Sequence, residues 1–152
     1  MTTAITLARA ENRAALLGLV ERRQSEAGAA PWADDDRAFH DRALAPLTEG
    51  GPEGAAWLIG PVRAPLGYAI VSFGWSLDAG GRVGWLEDIY IRPSVRRRGI
   101  AREVIHAIGV TLRRSDVRAI RIRLPRVEHS AQEFCIACGF ALEAGHLLLS
   151  DS

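Results

Sequence analysis

The spacing of apolar residues along the chain predicts alternating strands and helices. Ile5 and Leu7 indicate a short first strand. A helix is expected over residues 11–27, because Ala14, Leu17 and Val20 recur at the spacing of one helical stripe. Later segments alternate apolar and polar residues with period two or carry helical stripes. They predict a helix over 34–47 and then three strands, over 55–59, 66–75 and 83–91. A helix over 100–114 and a strand over 117–124 follow, and the chain ends with a short helix over 130–139 and a last strand over 140–149.

This order, β α α β β β α β α β, places the chain in the α/β class. Hairpin connections favour antiparallel pairing, and a crossover helix favours parallel pairing, so we expect a single mixed central sheet flanked by about four helices. The chain has 152 residues and 48% hydrophobic residues, which is enough for a sizeable core. Residues 1–152 are therefore predicted to form a single domain.

Several classes of function are disfavoured by composition. There is no apolar run of 18 residues, so no membrane contact is expected, and the first residues lack the pattern of a signal peptide, which favours the cytoplasm. The net charge of +1 argues against a nucleic-acid partner. Residues 1–90 carry 8 Arg and 12 acidic residues, whereas residues 91–152 carry 11 Arg and 6 acidic residues. This asymmetry suits one cationic and one anionic ligand, and a segregation of surface charge without function explains it equally well.

The stretch WLEDIYIRPSVRRRGIAR, residues 85–102, carries the strongest candidate chemistry. Arg96, Arg97, Arg98 and Gly99 lie between a predicted strand and a predicted helix. The first N–H groups of a helix lack intrahelical acceptors and attract phosphate, and Gly99 lets a ligand approach the backbone. A solvated basic turn is the alternative. Neither a Walker loop nor a dinucleotide fingerprint is present.

Two carboxylates, Glu87 and Asp88, precede this loop on the strand. Neighbouring strand residues face opposite sides of a sheet, so only one of them is expected to point into a given cleft. The other is then a structural carboxylate. A further alternative is that neither is catalytic and that one pairs with Arg82 or Arg92.

The same stretch resembles motif A of the GNAT acyltransferase superfamily, Gln/Arg-x-x-Gly-x-Gly/Ala, with Arg96, Gly99 and Ala101 at its fixed positions. A second family segment, AxxxYxxxGF, matches Ala131, Cys135, Gly139 and Phe140, and the order of elements is also that of the family. The resemblance implies the GNAT fold and acetyl-CoA as co-substrate, with no metal. The residues it implies for binding coenzyme A are Ile89, Tyr90, Ile91, Arg96, Arg97, Arg98, Gly99, Ile100, Ala101 and Arg102.

Within the superfamily, LEDIYIRP is most similar to diamine and polyamine acetyltransferases. That similarity implies Glu87 as the general base and a primary amine of a small molecule as acceptor, in the form of a diamine or polyamine, an aminoglycoside or an amino-acid-like compound. A protein or peptide amine is the first alternative, and a catalytically weak acyl-CoA-binding regulator is the second. Many relatives are homodimers, so a homodimer is expected.

The chain departs from the family pattern at Cys135, where many relatives carry the tyrosine that protonates the leaving thiolate. Candidates for the proton donor are therefore Cys135, His129, Tyr90 and water. Cys135 and Cys138 form a CxxC pair without a second pair, which is a weak zinc signal and more typical of two small half-buried residues.

The acceptor site of the family lies between the first two helices and the central strands. In this chain Trp32, Asp34 and Asp35 fall in that connection, where an aromatic ring and carboxylates would attract a cationic amine. Capping of the second helix by its aspartates is the alternative. The other tryptophans are expected in the core or at an interface.

Overall fold

The computed structural model describes residues 3–124, 129–143 and 149–150. Within these ranges, five strands form one sheet in the order β1-β2-β3-β4-β5, with bounds Ile5–Leu7, Gly54–Ile59, Gly67–Ser76, Gly81–Ile91 and Ala119–Ile122. The same described residues contain four α-helices, α1 to α4, which span Arg13–Glu26, Asp34–Leu44, Ile100–Arg114 and His129–Ala137. Short 3-10 helices lie at Ala10–Asn12, Pro46–Thr48 and Pro93–Val95.

The sheet is mixed, as the sequence predicts. Strands β1 to β4 pair antiparallel in chain order, and β5 pairs parallel to β4. The parallel pair requires a crossover, which α3 supplies. The predicted order of elements is confirmed from β1 to α4. Of the predicted last strand, residues 140–143 are not in a strand and residues 144–148 lie outside the described residues.

Helices cover both faces of the sheet, and each face has its own core. On the α1 face, Tyr68, Ile70 and Tyr90 pack with buried leucines and Val20 of α1 and with Leu44 of α2. The α3 face packs against α3, and its sheet residues include Ala69, Val71, Leu86 and Ile91, with Val104, Ile108 and Leu112 from the helix. These three helix residues recur every four positions along the helix predicted over 100–114, as one apolar stripe does.

No helix among the described residues is long and apolar enough to cross a membrane.

Candidate active site

A β-bulge in β4 determines how the two carboxylates are presented. The pairing of β3 with β4 steps from Val71 opposite Leu86 to Ile70 opposite Asp88, which leaves Glu87 without a partner on β3. A bulge inserts one extra residue and resets the alternation of side chains. Glu87 and Asp88 therefore share the α1 face, and the prediction that they face opposite sides is wrong.

Asp88 is occupied by structural contacts. Its Oδ2 accepts a hydrogen bond of 2.6 Å from the hydroxyl of Tyr68 and one of 2.8 Å from Nε of Arg23 on α1. Burial, and then the charge of Asp88, raise the pKa of Tyr68 well above its ordinary value. Burial works against the charged form of Arg23, but the hydrogen bond and charge of Asp88 outweigh it and raise the guanidinium pKa. Asp88 thus joins α1 to the sheet, and neither Arg82 nor Arg92 pairs with a carboxylate in the described part of the chain.

Glu87, by contrast, remains accessible. Its side chain is exposed and accepts a hydrogen bond from Oγ of Ser72, which lies on the same face of β3. No ion pair engages Glu87 among the described residues, so one carboxylate oxygen is left for a ligand. Of the two candidates, Glu87 is the one whose surroundings permit proton transfer to or from a bound molecule.

The basic loop has the backbone geometry of an anion site. Gly99 has φ +76° at the residue before α3, and a Cβ there would meet no atom within 4 Å, so the space above it is open. Arg97 also has a positive φ, 64°. The first helical hydrogen bond runs from the backbone N–H of Glu103 to the carbonyl of Gly99. The backbone N–H groups of residues 100–102 lack such an acceptor. The loop therefore has the free N–H groups and the open space that an anion such as a phosphate requires.

The arginines of this loop fall into two groups. Arg97, Arg98 and Arg102 are exposed and form no ion pair within the described residues. Arg96 donates from Nε to the carbonyl of Ile91 at 2.7 Å and pairs with Glu26 at 3.3 Å. Its guanidinium also lies 5.7 Å from the centre of the Tyr90 ring. Arg96 is thus held by the protein, whereas the other three are available to a phosphorylated ligand.

Tyr90 belongs to the same network. Its hydroxyl donates to Glu26 at 2.9 Å, and burial, followed by this contact, raises the pKa of the phenol. Because its hydroxyl is engaged and its side chain is buried, this geometry does not offer Tyr90 as a donor to the leaving thiolate.

An unpaired edge of β4 lies beside the loop. Strand β5 pairs with β4 only from Val83 to Leu86. The β5 side of Ile89, Tyr90 and Ile91 has no strand partner among the described residues, although Ile91 accepts from Arg96. This edge can pair with an extended ligand through backbone groups. Nearby, the start of α3 borders an open cavity of about 430 Å³, which is lined by Gly99, Arg102, Glu103, His106 and Cys138.

Cys135 is buried on α4, with 5% of its surface exposed. Burial, followed by the neighbouring Cys138, raises the pKa of its thiol. Both cysteines are free, and no group of three or more His, Cys, Asp or Glu side chains in the described ranges could hold a metal. His129 begins α4 and is exposed.

The connection between α1 and α2 places Trp32 in a structural role. Its Nε1 donates to Gln24 at 2.9 Å, and its ring stacks on His40 at 4.2 Å. Asp34 and Asp35 are exposed in the first turn of α2 and have no hydrogen bond in the described structure. Asp36 accepts from the N–H of Ala33, as a capping residue does. The structure therefore joins Trp32 to helix packing and does not connect it with Glu87.

Four residues of the site escape the sequence analysis: Ser72, Tyr68, Arg23 and Glu26. Their partners are between 15 and 70 positions away in the chain. The pairing register of β3 with β4 and the contact of α1 with the sheet bring them together, and neither is visible in a local pattern.

Comparisons with known proteins point to one enzyme family. Residues 8–140 match the model of the acetyltransferase (GNAT) family. Comparison with curated proteins finds no significant match. Among solved structures, a possible acetyltransferase from Clostridium difficile 630 aligns with TM-score 0.82 at 14% identity, covering 100% of this chain and 99% of that one.

Two further structures show the same fold. AAC(6')-Iy, in complex with the bisubstrate analog CoA-S-monomethyl-acetylneamine, aligns with TM-score 0.77 at 17% identity, covering 100% of this chain and 99% of that one. Ribosomal-protein-alanine N-acetyltransferase from Brucella melitensis biovar Abortus 2308 aligns with TM-score 0.75 at 17% identity, covering 98% and 99%.

Proposed function

The chain belongs to the GNAT acetyltransferase family, and on that premise we propose that it transfers an acetyl group from acetyl-CoA to the primary amine of a small molecule, with Glu87 as general base. The observation that carries the proposal is the bulge in β4. It brings both carboxylates to one face, where Tyr68 and Arg23 occupy Asp88 while Glu87 remains accessible.

The reaction requires the amine in its neutral form. An alkyl amine has a pKa near 10.4, so most of it is protonated at neutral pH. Glu87 accepts a proton from the ammonium, directly or through one water molecule, and the freed nitrogen lone pair attacks the thioester carbonyl carbon. Attack leaves a positive charge on the nitrogen, which loses its second proton to water as the carbon–sulfur bond breaks and coenzyme A leaves as the thiolate. Ser72 holds one carboxylate oxygen of Glu87 and orients the other toward the amine.

The loop before α3 supplies the donor site. The exposed guanidinium groups of Arg97, Arg98 and Arg102 and the free N–H groups at the start of α3 would bind the pyrophosphate. Ile89, with its N–H and C=O, and Ile91, with its N–H, offer backbone groups on the unpaired edge of β4, because the groups of Tyr90 point to β3. These edge groups would bind the extended pantetheine arm. Positioning of the thioester beside the amine then supplies much of the rate.

Protonation of the leaving thiolate is best assigned to water. The raised pKa of Cys135 means that its proton would move energetically uphill to a coenzyme A thiolate with an ordinary thiol pKa. The cysteine in place of the usual tyrosine therefore fits a packing role in α4.

The test is thiol release from acetyl-CoA with a panel of small amines. We expect Glu87→Gln to lower kcat by roughly 10²–10⁴-fold, which is typical for loss of a general base. Glu11→Gln removes an equally exposed carboxylate from another part of the chain and should leave kcat unchanged. Equal turnover by Glu87→Gln and wild type would reject Glu87 as the base. Tight coenzyme A binding by calorimetry without turnover would instead identify a catalytically weak acyl-CoA-binding protein.

A further inference from the structure

A cationic, aromatic surface adjoins Glu87 on the α1 face of the sheet. Trp85 lies opposite Ser72 on β3 and opposite Arg121 on β5. Residues directly opposite each other on neighbouring strands point to the same face. The hydroxyl of Ser72 donates a hydrogen bond to Glu87, so these two residues lie on the same face. Trp85 and Arg121 therefore share the face of that carboxylate. Ile120 and Ile122 pack on the α3 side, in agreement with this assignment.

Two guanidinium groups rest against the ring of Trp85. The guanidinium carbon of Arg123 lies 3.8 Å from the ring centre, and that of Arg121 lies 5.7 Å from it. Neither arginine forms an ion pair or a side-chain hydrogen bond with any residue in the described ranges. Arginine stacked on an aromatic face keeps the N–H groups at its edge for a planar acceptor such as a carboxylate.

The balance of charge on this surface is positive. Asp88 is neutralised by Arg23, so its carboxylate does not offset the other arginines. Glu87 then contributes one negative charge against the two positive charges of Arg121 and Arg123. A polycation bound through one amine would bring its remaining positive charges close to these arginines, which is unfavourable. An amine that also carries an anion complements both parts of the surface.

We propose that the acceptor is an amine that also carries a carboxylate, with its amine at Glu87 and its carboxylate at Arg121 and Arg123. This inference rests on the proposed function and selects the amino-acid-like class of acceptor over polyamines and aminoglycosides. Strand spacing and rise put the Cα atoms of Glu87 and Arg121 on the order of 8 Å apart, which suits a molecule the size of an amino acid.

Lysine and cadaverine provide a matched test, because they differ only by the α-carboxylate. Binding of each to the complex of the protein with coenzyme A is measured by calorimetry, and turnover is measured by thiol release from acetyl-CoA. We expect lysine to bind roughly tenfold or more tightly, as charge-assisted hydrogen bonds to a carboxylate allow. Arg123→Gln and Arg121→Gln should raise KM for lysine and lower KM for cadaverine, because each removes a partner of the carboxylate and a charge that repels the second ammonium.

Arg114→Gln is the control variant, since it removes one exposed positive charge at the end of α3 and should leave both KM values unchanged. Arg123→Lys keeps the positive charge but loses the forked hydrogen bonding of the guanidinium, and should retain part of the preference for lysine over cadaverine that Arg123→Gln loses. Cadaverine binding as tightly as lysine, or equal losses for both amines in Arg123→Gln, would overturn the proposal. Preferred binding of lysine without thiol release would support this recognition and reject the acetyl transfer. Thiol release with a preference for cadaverine would support the acetyl transfer and reject the recognition of a carboxylate.

Discussion

Tyr68 should make the stability of the protein depend on alkaline pH. The side chain is fully buried, and its hydroxyl donates to Asp88 at 2.6 Å. Burial and the adjacent carboxylate raise its pKa well above 10, whereas in the unfolded chain the phenol titrates near 10. Folding therefore favours the protonated form. The stability from this group is complete below pH 10 and is lost as pH rises above it.

The size of the effect follows from the two pKa values. If Tyr68 stays protonated in the folded protein, raising the pH from 9 to 11 lowers the free energy of unfolding by about 1.4 kcal/mol through this group alone. Tyr68→Phe removes that dependence. At pH 7 the variant should also lose about 1.5 kcal/mol, because a hydrogen bond to a charged acceptor is gone. Urea unfolding at pH 7, 9 and 11, followed by circular dichroism, measures both quantities.

Tyr90 provides an internal comparison, since it is the second of the 2 tyrosines in the chain. Burial and Glu26 raise its pKa too, so Tyr90→Phe should separately flatten the same part of the pH profile. Parallel profiles of wild type and Tyr68→Phe between pH 9 and 11 would refute the reasoning. So would a phenolate absorbance in the folded wild type that appears near pH 10 for both tyrosines.

Three further variants test other parts of the site. Gly99→Ala places a side chain at φ +76°, which should cost about 1 kcal/mol of stability and raise KM for acetyl-CoA. Gly80→Ala, at φ +82° and outside the loop, should cost a similar amount of stability without changing KM. Equal KM values in both variants would contradict an anion site at Gly99. Asp88→Asn should lower Tm by about 3 °C through its contacts with Tyr68 and Arg23, yet reduce kcat far less than Glu87→Gln, as thermal unfolding and thiol release will show. Cys135→Ala should leave kcat close to wild type at pH 7; a loss as large as that of Glu87→Gln would restore Cys135 as the proton donor.

The bounds of an element could be predicted where the apolar period and a helix-start residue indicate the same position. Helix α3 has the predicted bounds because Gly99 stands before an unbroken apolar stripe that ends beside two arginines. Strand β5 spans four residues, fewer than the eight expected, because alternation of Ile and Arg continues beyond the last residue that pairs with β4. Alternation reports which face a side chain prefers, whereas the length of a strand depends on its neighbour.

The arrangement of the carboxylates could not be derived from a regular strand. Leu86 and Ile89 are both apolar and three positions apart, a spacing that would put them on opposite faces if β4 were regular. Both lie on the α3 face, because the bulge adds Glu87 between them. The odd spacing of two apolar residues around a polar pair was therefore a local signal of the bulge.

The loop arginines differ in their contacts, so a sequence motif alone does not assign their roles. The family motif marks Arg96, yet α1 reaches this residue through Glu26, and Tyr90 lies under its guanidinium. The same helix reaches Asp88 through Arg23, one turn earlier. Helix α1 thus fixes one member of each pair of candidates, Asp88 beside Glu87 and Arg96 beside Arg97. The members that remain accessible, Glu87 and Arg97, are the ones that we propose for the amine and the phosphate, because the long-range contacts of α1 have already satisfied their neighbours.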